Sequence, residues 1–241
     1  MGTFILFMTF LIVSYGVLLI IRFFSWLAQL NLTRVYNKYK KMRGYGTGED
    51  LARSVIENEN LRKVRVRPIN GFLTDNYHRK VISLSDGVYY GNTLSAVAIA
   101  AHECGHALQQ KDGYLAFYIR RGLVPLANIG SRIGSAFLVI ALMVGAPDEY
   151  IIGGIMLLSA FFVYQLFTFV VEINATRRGL KILKYYGVVK TEKEMKAARS
   201  LLITAAFTYA VQLIYSAACL MRTGGLILIG AAGKNTYTKA I

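Results

Sequence analysis

Three stretches of this chain carry no charge over lengths that suit a bilayer: Phe4 to Ile21, Tyr150 to Val171 and Ser200 to Met221. A helix rises about 1.5 Å per residue, so about 20 apolar residues cross the roughly 30 Å hydrocarbon core. Ile133 to Ala146 is shorter. Extended upstream through Pro125 to Ser131 it becomes a fourth crossing, with Arg132 snorkelling or facing protein. Gly224 to Gly233 is apolar but too short for an independent span. Phe4 to Ile21 is expected to remain as an anchor, because no charged segment precedes it and no small-x-small cleavage site follows. Only 17% of the 241 residues are charged, below the usual quarter, and 55% are hydrophobic. The apolar residues come in blocks, which points to a membrane protein.

The net charge of +15 is placed unevenly. Sixteen Lys and Arg lie between Arg22 and Arg121, and eight lie between Glu172 and Ser200. The Pro147-Asp148-Glu149 link has none. Basic loops stay in the cytoplasm, so both basic segments are expected there, with the N-terminus outside. Orientation and attraction to the lipid bilayer account for this charge, and no nucleic-acid partner is expected. Cys104 and Cys219 do not form a disulfide pattern. Cys104 is expected to be a small packed residue.

Between the spans, Asn31 to Arg43 reads as a basic helix or linker near the membrane surface. Thr47-Gly-Glu-Asp50 resembles a helix start, with the helix running to about Glu57. Val64 to Arg67 and Val81 to Ser85 read as short strands, Pro68 to Gly71 as a turn, and Asp86 to Thr93 as a loop. Leu115 to Leu126 is an amphipathic run-in to the second span, and a helix continues from Glu172 to about Tyr186.

Chemistry enters at His102-Glu103-Cys104-Gly105-His106, late in the Ala-rich helical run from Leu94. Positions four apart share a helix face, so two imidazoles can bind one Zn²⁺ while Glu103 lies beside it. The chain has only three histidines. Shuffling its composition gives this pattern roughly once in a thousand trials. Short strands directly before such a helix either support it or hold an extended peptide by main-chain hydrogen bonds.

A catalytic zinc takes three protein ligands and keeps one position open. His78 is one candidate for the third ligand, and Asp75 and Asp86 are others. Topology favours Glu172. Two crossings joined by a tight link return the chain to the side that it left, and an acid at the end of an apolar run is costly without a partner. Asn174, Thr176 or Arg177 then follow on the same helix, where one can hydrogen-bond a ligand. Arg177, Tyr77 or His78 can stabilise a developing oxyanion. Arg178 reads as an interfacial anchor.

Several segments together resemble a known family. They are Thr47-Gly-Glu-Asp-Leu-Ala-Arg53, Gly71-Phe-Leu-Thr-Asp-Asn-Tyr77, Ile82-Ser-Leu-Ser-Asp-Gly-Val-Tyr89, Ala100-Ala-His-Glu-Cys-Gly-His-Ala-Leu-Gln109 and Val171-Glu-Ile-Asn-Ala-Thr-Arg-Arg178. In this order they look like the bacterial YugP-like neutral zinc metallopeptidases. These are similar to the HtpX-like proteases, in which the motif and a later Glu flank a transmembrane hairpin. The resemblance implies that His102, His106 and Glu172 bind zinc and that Glu103 is the general base. Asn174 stands where the family has an acid, and His78-Arg79 follows Tyr77 where the family has Asp-Pro.

The expected fold is therefore mainly α: a multi-pass helical membrane protein with a small α+β zincin-like cytoplasmic domain that carries the motif helix. Residues 1–29 form the first span and 30–121 the cytoplasmic metallopeptidase segment. Residues 122–171 form a hairpin of spans, 172–199 a cytoplasmic helix with the third ligand, and 200–241 the last span and an apolar tail. The expected activity is zinc-dependent hydrolysis of membrane-associated or misfolded peptide substrates. The alternatives are a zinc-binding scaffold or regulator without hydrolysis, and a membrane-surface binding protein in which the motif is incidental.

Overall fold

Each uncharged run folds as part of a long helix. The computed structural model describes residues 2–238, beginning with α1, Gly2–Tyr39. The first half of α1 is apolar all round, and Ile12, Ile20 and Phe24 are exposed. Such a surface is stable against lipid rather than water. At 38 residues, α1 is longer than one bilayer requires. The surplus includes most of Asn31 to Arg43, where a surface helix or linker was expected. It instead continues α1, and Tyr36 enters a protein core at 2% exposure. Leu32, Val35, Tyr39 and Met42 pack against the same core. Their three- and four-residue spacing makes a core-facing stripe.

Thr47 caps α2, Gly48–Asn58. Asp50 N donates to Thr47 Oγ1 at 3.1 Å, and Thr47 N donates to Asp50 Oδ2 at 2.8 Å, which completes a capping box. Next come β1 (Arg65–Ile69), β2 (Asn76–His78) and β3 (Val81–Ser85), in the spatial order β1-β3-β2. β1 is parallel to β3, whereas β2 is antiparallel to it, with Tyr77 opposite Ile82. The central strand is buried from Ile82 to Ser85. Pro68 lies inside β1, opposite Leu84, rather than starting a turn. An edge strand tolerates proline because one side of its ladder needs no N–H donor. β2 is a third strand that the sequence reading did not include. Arg79 and Lys80 join β2 to β3, both at positive φ, 47° and 64°.

The short helix α3, Asp86–Tyr89, takes up half of the expected loop. Thr93 then caps α4, Leu94–Lys111, accepting from Ala96 N at 3.2 Å. Its fully buried alanines pack in one core with Leu51, Ile82, Leu84, Leu183 and Leu201. The second apolar segment is α5 (Leu115–Ile129), a π-helical turn (Gly130–Gly134) and α6 (Ser135–Met143). The run-in and the short apolar run thus form one helical path of spanning length, with Arg132 exposed. A Cβ on Gly130 would collide with Leu157 O of α7, Asp148–Tyr185. Small residues let neighbouring spans pack this closely. The last helix, α8, is Glu192–Thr238 and takes in the tail from Gly224. Residues 239–241 lie outside the described residues.

The chain divides into two compact units. One contains the segments up to Trp26, Ile119–Thr168 and the chain from Ala210 onward. Within it, Tyr215 OH accepts from Arg22 Nη2 at 3.1 Å, Gln212 Nε2 donates to Ser25 Oγ at 2.9 Å, and Arg222 donates to Ser135. The other unit, Leu27–Tyr118 with Phe169–Tyr209, holds the sheet, the buried core and every residue of the site below.

Candidate metal centre

The site forms where α4 and α7 touch, and two glycines allow the contact. A Cβ on Gly105 would lie 2.7 Å from Ala175 O, and a Cβ on Gly179 would lie 3.1 Å from the His102 Cα. The first is shorter than real side-chain contacts, and the second is tighter than most of them. The backbones therefore approach closely enough for Glu172 to reach both imidazoles. Glu172 Oε2 lies 3.1 Å from His102 Nε2 and 3.4 Å from His106 Nε2. One ligand atom from each of the three residues falls within 4.8 Å of the others.

These distances suit a metal. With zinc–ligand bonds of about 2.0–2.1 Å, the edges of a tetrahedron are about 3.3 Å. The surroundings supply a second argument. Glu172 is 2% exposed and His106 is 6% exposed. A buried carboxylate needs a compensating positive charge.

The proton positions can be followed outward from an arginine. Arg178 Nε can only donate, and it donates to Asn174 Oδ1 at 2.8 Å. Gln109 Nε2 donates to the same oxygen at 3.0 Å and to Val171 O at 2.8 Å. That fixes the orientation of the Gln109 amide. Its Oε1, 2.9 Å from His106 Nδ1, therefore accepts a hydrogen bond from the ring N–H. In its neutral form, His106 then keeps a bare lone pair on Nε2, aimed at the Glu172 carboxylate. A cation between them removes the repulsion. On the other imidazole, Thr176 Oγ1 lies 3.4 Å from His102 Nδ1 and leaves Nε2 facing the same point. Two imidazoles and a carboxylate form a donor set that suits Zn²⁺.

Glu103 follows His102 on α4 and is 6% exposed. Both line a cavity of about 180 Å³ whose walls include Leu32, Leu73, Ile99 and Leu202. Asp75 lines it too, and it accepts from Ser85 N at 2.7 Å. Burial pushes the Asp75 carboxyl above its ordinary value. Cys104 is fully buried in the core.

The other sequence candidates are distributed as follows. Asn174 supports Gln109 rather than a ligand, and Thr176 faces His102. Arg177 is exposed, while Arg178, expected as an anchor, bonds Asn174 and Asp112. His78 is exposed on β2, and Asp86 is exposed at the start of α3. Tyr77 OH donates to Gln110 Oε1 at 2.6 Å. Sequence reasoning did not single out Gln109 as a partner of His106. Its signal was available, because it lies three residues past His106, one turn along the same face. It also missed Thr208 and Tyr209, which line the cavity with His102. They sit inside an apolar run where nothing sets them apart.

A family model described as "Putative neutral zinc metallopeptidase" matches residues 14–228. The chain is 34% identical over 211 residues to "Putative membrane protease YugP" of Bacillus subtilis (strain 168), which covers 86% of this chain and 92% of that protein. No solved structure matches it.

Proposed function

The chain belongs to the family described as "Putative neutral zinc metallopeptidase", and from that premise we propose that it is a membrane-embedded zinc endopeptidase. The observation that carries the reading is the convergence of His102, His106 and Glu172, with Glu103 next to His102 along the helix and lining a cavity with it. The three ligands hold the ion. When bound, zinc supplies Lewis acidity that makes a water nucleophilic near neutral pH and polarises the scissile carbonyl.

Glu103 is the general base in this reading. Its carboxylate takes a proton as the water oxygen bonds to the carbonyl carbon. It returns that proton to the amide nitrogen as the C–N bond breaks, leaving an acid and an amine. Gln109 and Thr176 hold the imidazoles in the ligating tautomer. The apolar walls around His102 and Glu103 exclude bulk water, which strengthens each charge interaction inside. β2 bonds only β3, so its outer edge is open among the described residues. An extended peptide docks there by main-chain hydrogen bonds. The excess of Lys and Arg around the site residues supports a cytoplasmic site with the N-terminus outside. The substrates are then misfolded membrane proteins or short membrane-associated peptides.

The test uses purified full-length protein with a fluorogenic unfolded substrate. Wild type loaded with zinc cleaves it, and a chelator stops cleavage. Glu103→Gln retains stoichiometric zinc and cleaves nothing. Cleavage by Glu103→Gln at the wild-type rate, or none by zinc-loaded wild type, overturns the proposal.

A further inference from the structure

A larger cavity lies on the same unit as the metal centre. It is an open groove of about 540 Å³ with Leu61, Val64, Ala107 and Tyr118 among its walls. Four cations also line it: Arg62, Lys63, Lys80 and Lys111. Among the described residues, only Lys111 of these four has an ion-pair partner, Glu59 at 2.7 Å. Among the described residues no acid lines the groove.

Its remaining hydrogen-bonding capacity favours donation. Tyr77 OH donates to Gln110 Oε1 at 2.6 Å, and Tyr118 OH donates to Gln110 O at 3.1 Å. Both phenol protons and the Gln110 acceptors are thereby engaged. The ammonium and guanidinium groups and the Gln110 amide nitrogen offer donors. A ligand for this groove must bring acceptors and negative charge.

The position indicates what kind of ligand. Ala107 and Gln110 come one and four residues after His106 on α4, and Tyr77 belongs to β2, the strand with the open edge. An extended chain paired with that edge would place alternate side chains on one face. The turn adds an independent sign. Two-residue hairpin turns with positive φ at both positions strongly prefer Asn-Gly. Here the positions are Arg79 and Lys80, so a strained turn is kept where it delivers a cation to the groove.

We propose that this groove is a subsite for the Asp and Glu side chains of an extended peptide bound along β2. Acidic, membrane-delivered segments are then the preferred substrates of the metal centre. The proposal rests on the peptidase reading.

The test measures binding apart from hydrolysis. Full-length Glu103→Gln protein, zinc-loaded and in zwitterionic nanodiscs, is titrated with three fluorescent dodecapeptides that differ only in carrying Glu, Gln or Lys at alternate positions. Each exposed ion pair is worth about 1.4- to five-fold in affinity, so three pairs favour the Glu peptide by about three-fold to 100-fold at low salt. The preference shrinks as salt shortens the Debye length. Adding Lys63→Ala and Lys80→Gly removes most of the preference and leaves Gln-peptide binding unchanged. Lys80→Gly also relieves the positive φ, so the melting temperature holds or rises, which separates lost charge from lost fold.

Equal binding of the Glu and Gln peptides overturns the proposal. So does a loss of phosphatidylglycerol-vesicle binding in the double variant with Glu-peptide binding intact, which would make the groove a lipid site. Charge-selective binding by a protein whose wild type hydrolyses nothing overturns the peptidase reading and leaves the groove a peptide site. Hydrolysis without acid preference does the reverse.

Discussion

Gln109 Oε1 lies 2.9 Å from His106 Nδ1, and the direction of that hydrogen bond is set by Arg178, two residues further along the network. The glutamine thus connects α7 to the tautomer of a candidate ligand on α4. Partners of this kind typically change metal affinity about 10- to 100-fold. Gln109→Met, close in shape but unable to accept the ring proton, is expected to weaken zinc binding by that amount. Thr176→Val, whose contact with His102 is longer at 3.4 Å, is expected to cost less. Competition with a chromogenic chelator ranks the two, and equal affinities would refute the assigned roles.

Metal removal has its own signature. Glu172 is 2% exposed, with both His102 Nε2 and His106 Nε2 within 3.4 Å. Zinc at about 100 times its dissociation constant adds about 2.7 kcal/mol to stability by mass action. A chelator should therefore lower the melting temperature of the wild type in detergent. It should barely move that of Glu172→Ala, which no longer holds the ion. His78→Ala should respond to the chelator as the wild type does, because His78 is exposed on β2.

Gly105→Ala should be more damaging than Gly179→Ala. The added methyl meets backbone in both cases, at 2.7 Å from Ala175 O and at 3.1 Å from the His102 Cα. Overpacking of this kind costs about 1–3 kcal/mol. Thermal unfolding in detergent gives the order, and zinc content shows whether Glu172 has been levered away from the imidazoles.

The α2 cap should respond to acid. Hydrogen bonds from Thr47, first the backbone N–H and then the hydroxyl, hold the Asp50 carboxyl below its ordinary value. The folded state thus favours the carboxylate. Its contribution is present above the unfolded value of about 3.9 and is lost as pH falls through the depressed one. Asp50→Asn should cost about 0.5–1 kcal/mol near neutral pH. That difference should close below about pH 4 in melting curves.

The legible parts of this fold are those with a strong local cause. Uncharged runs became long helices because apolar surface has few other places to go. Thr47 began a helix because its hydroxyl and the Asp50 carboxylate cap each other. Val81 to Ser85 matched its strand to the residue because Ile82 and Leu84 alternate with serines there. Counting crossings pointed to Glu172, which needs only topology, and its carboxylate lies beside both imidazoles. β2 was missed because three residues with polar neighbours carry no period, and it exists only through pairing with β3. The continuation of α1 into the second unit was missed because a stripe of Val35, Tyr36 and Tyr39 faces protein or a membrane surface with the same spacing. Tyr209 and the groove cations were invisible as a set, since only tertiary structure brings them together.

Gly105 occupies one of the two blank letters of H-E-x-x-H. In this molecule neither blank is open: Cys104 fills a core position and Gly105 makes room for a neighbouring backbone. Anyone transplanting the two histidines and the glutamate onto another helix would have to carry the glycine with them. Without it, the second helix could not come near enough to complete the site.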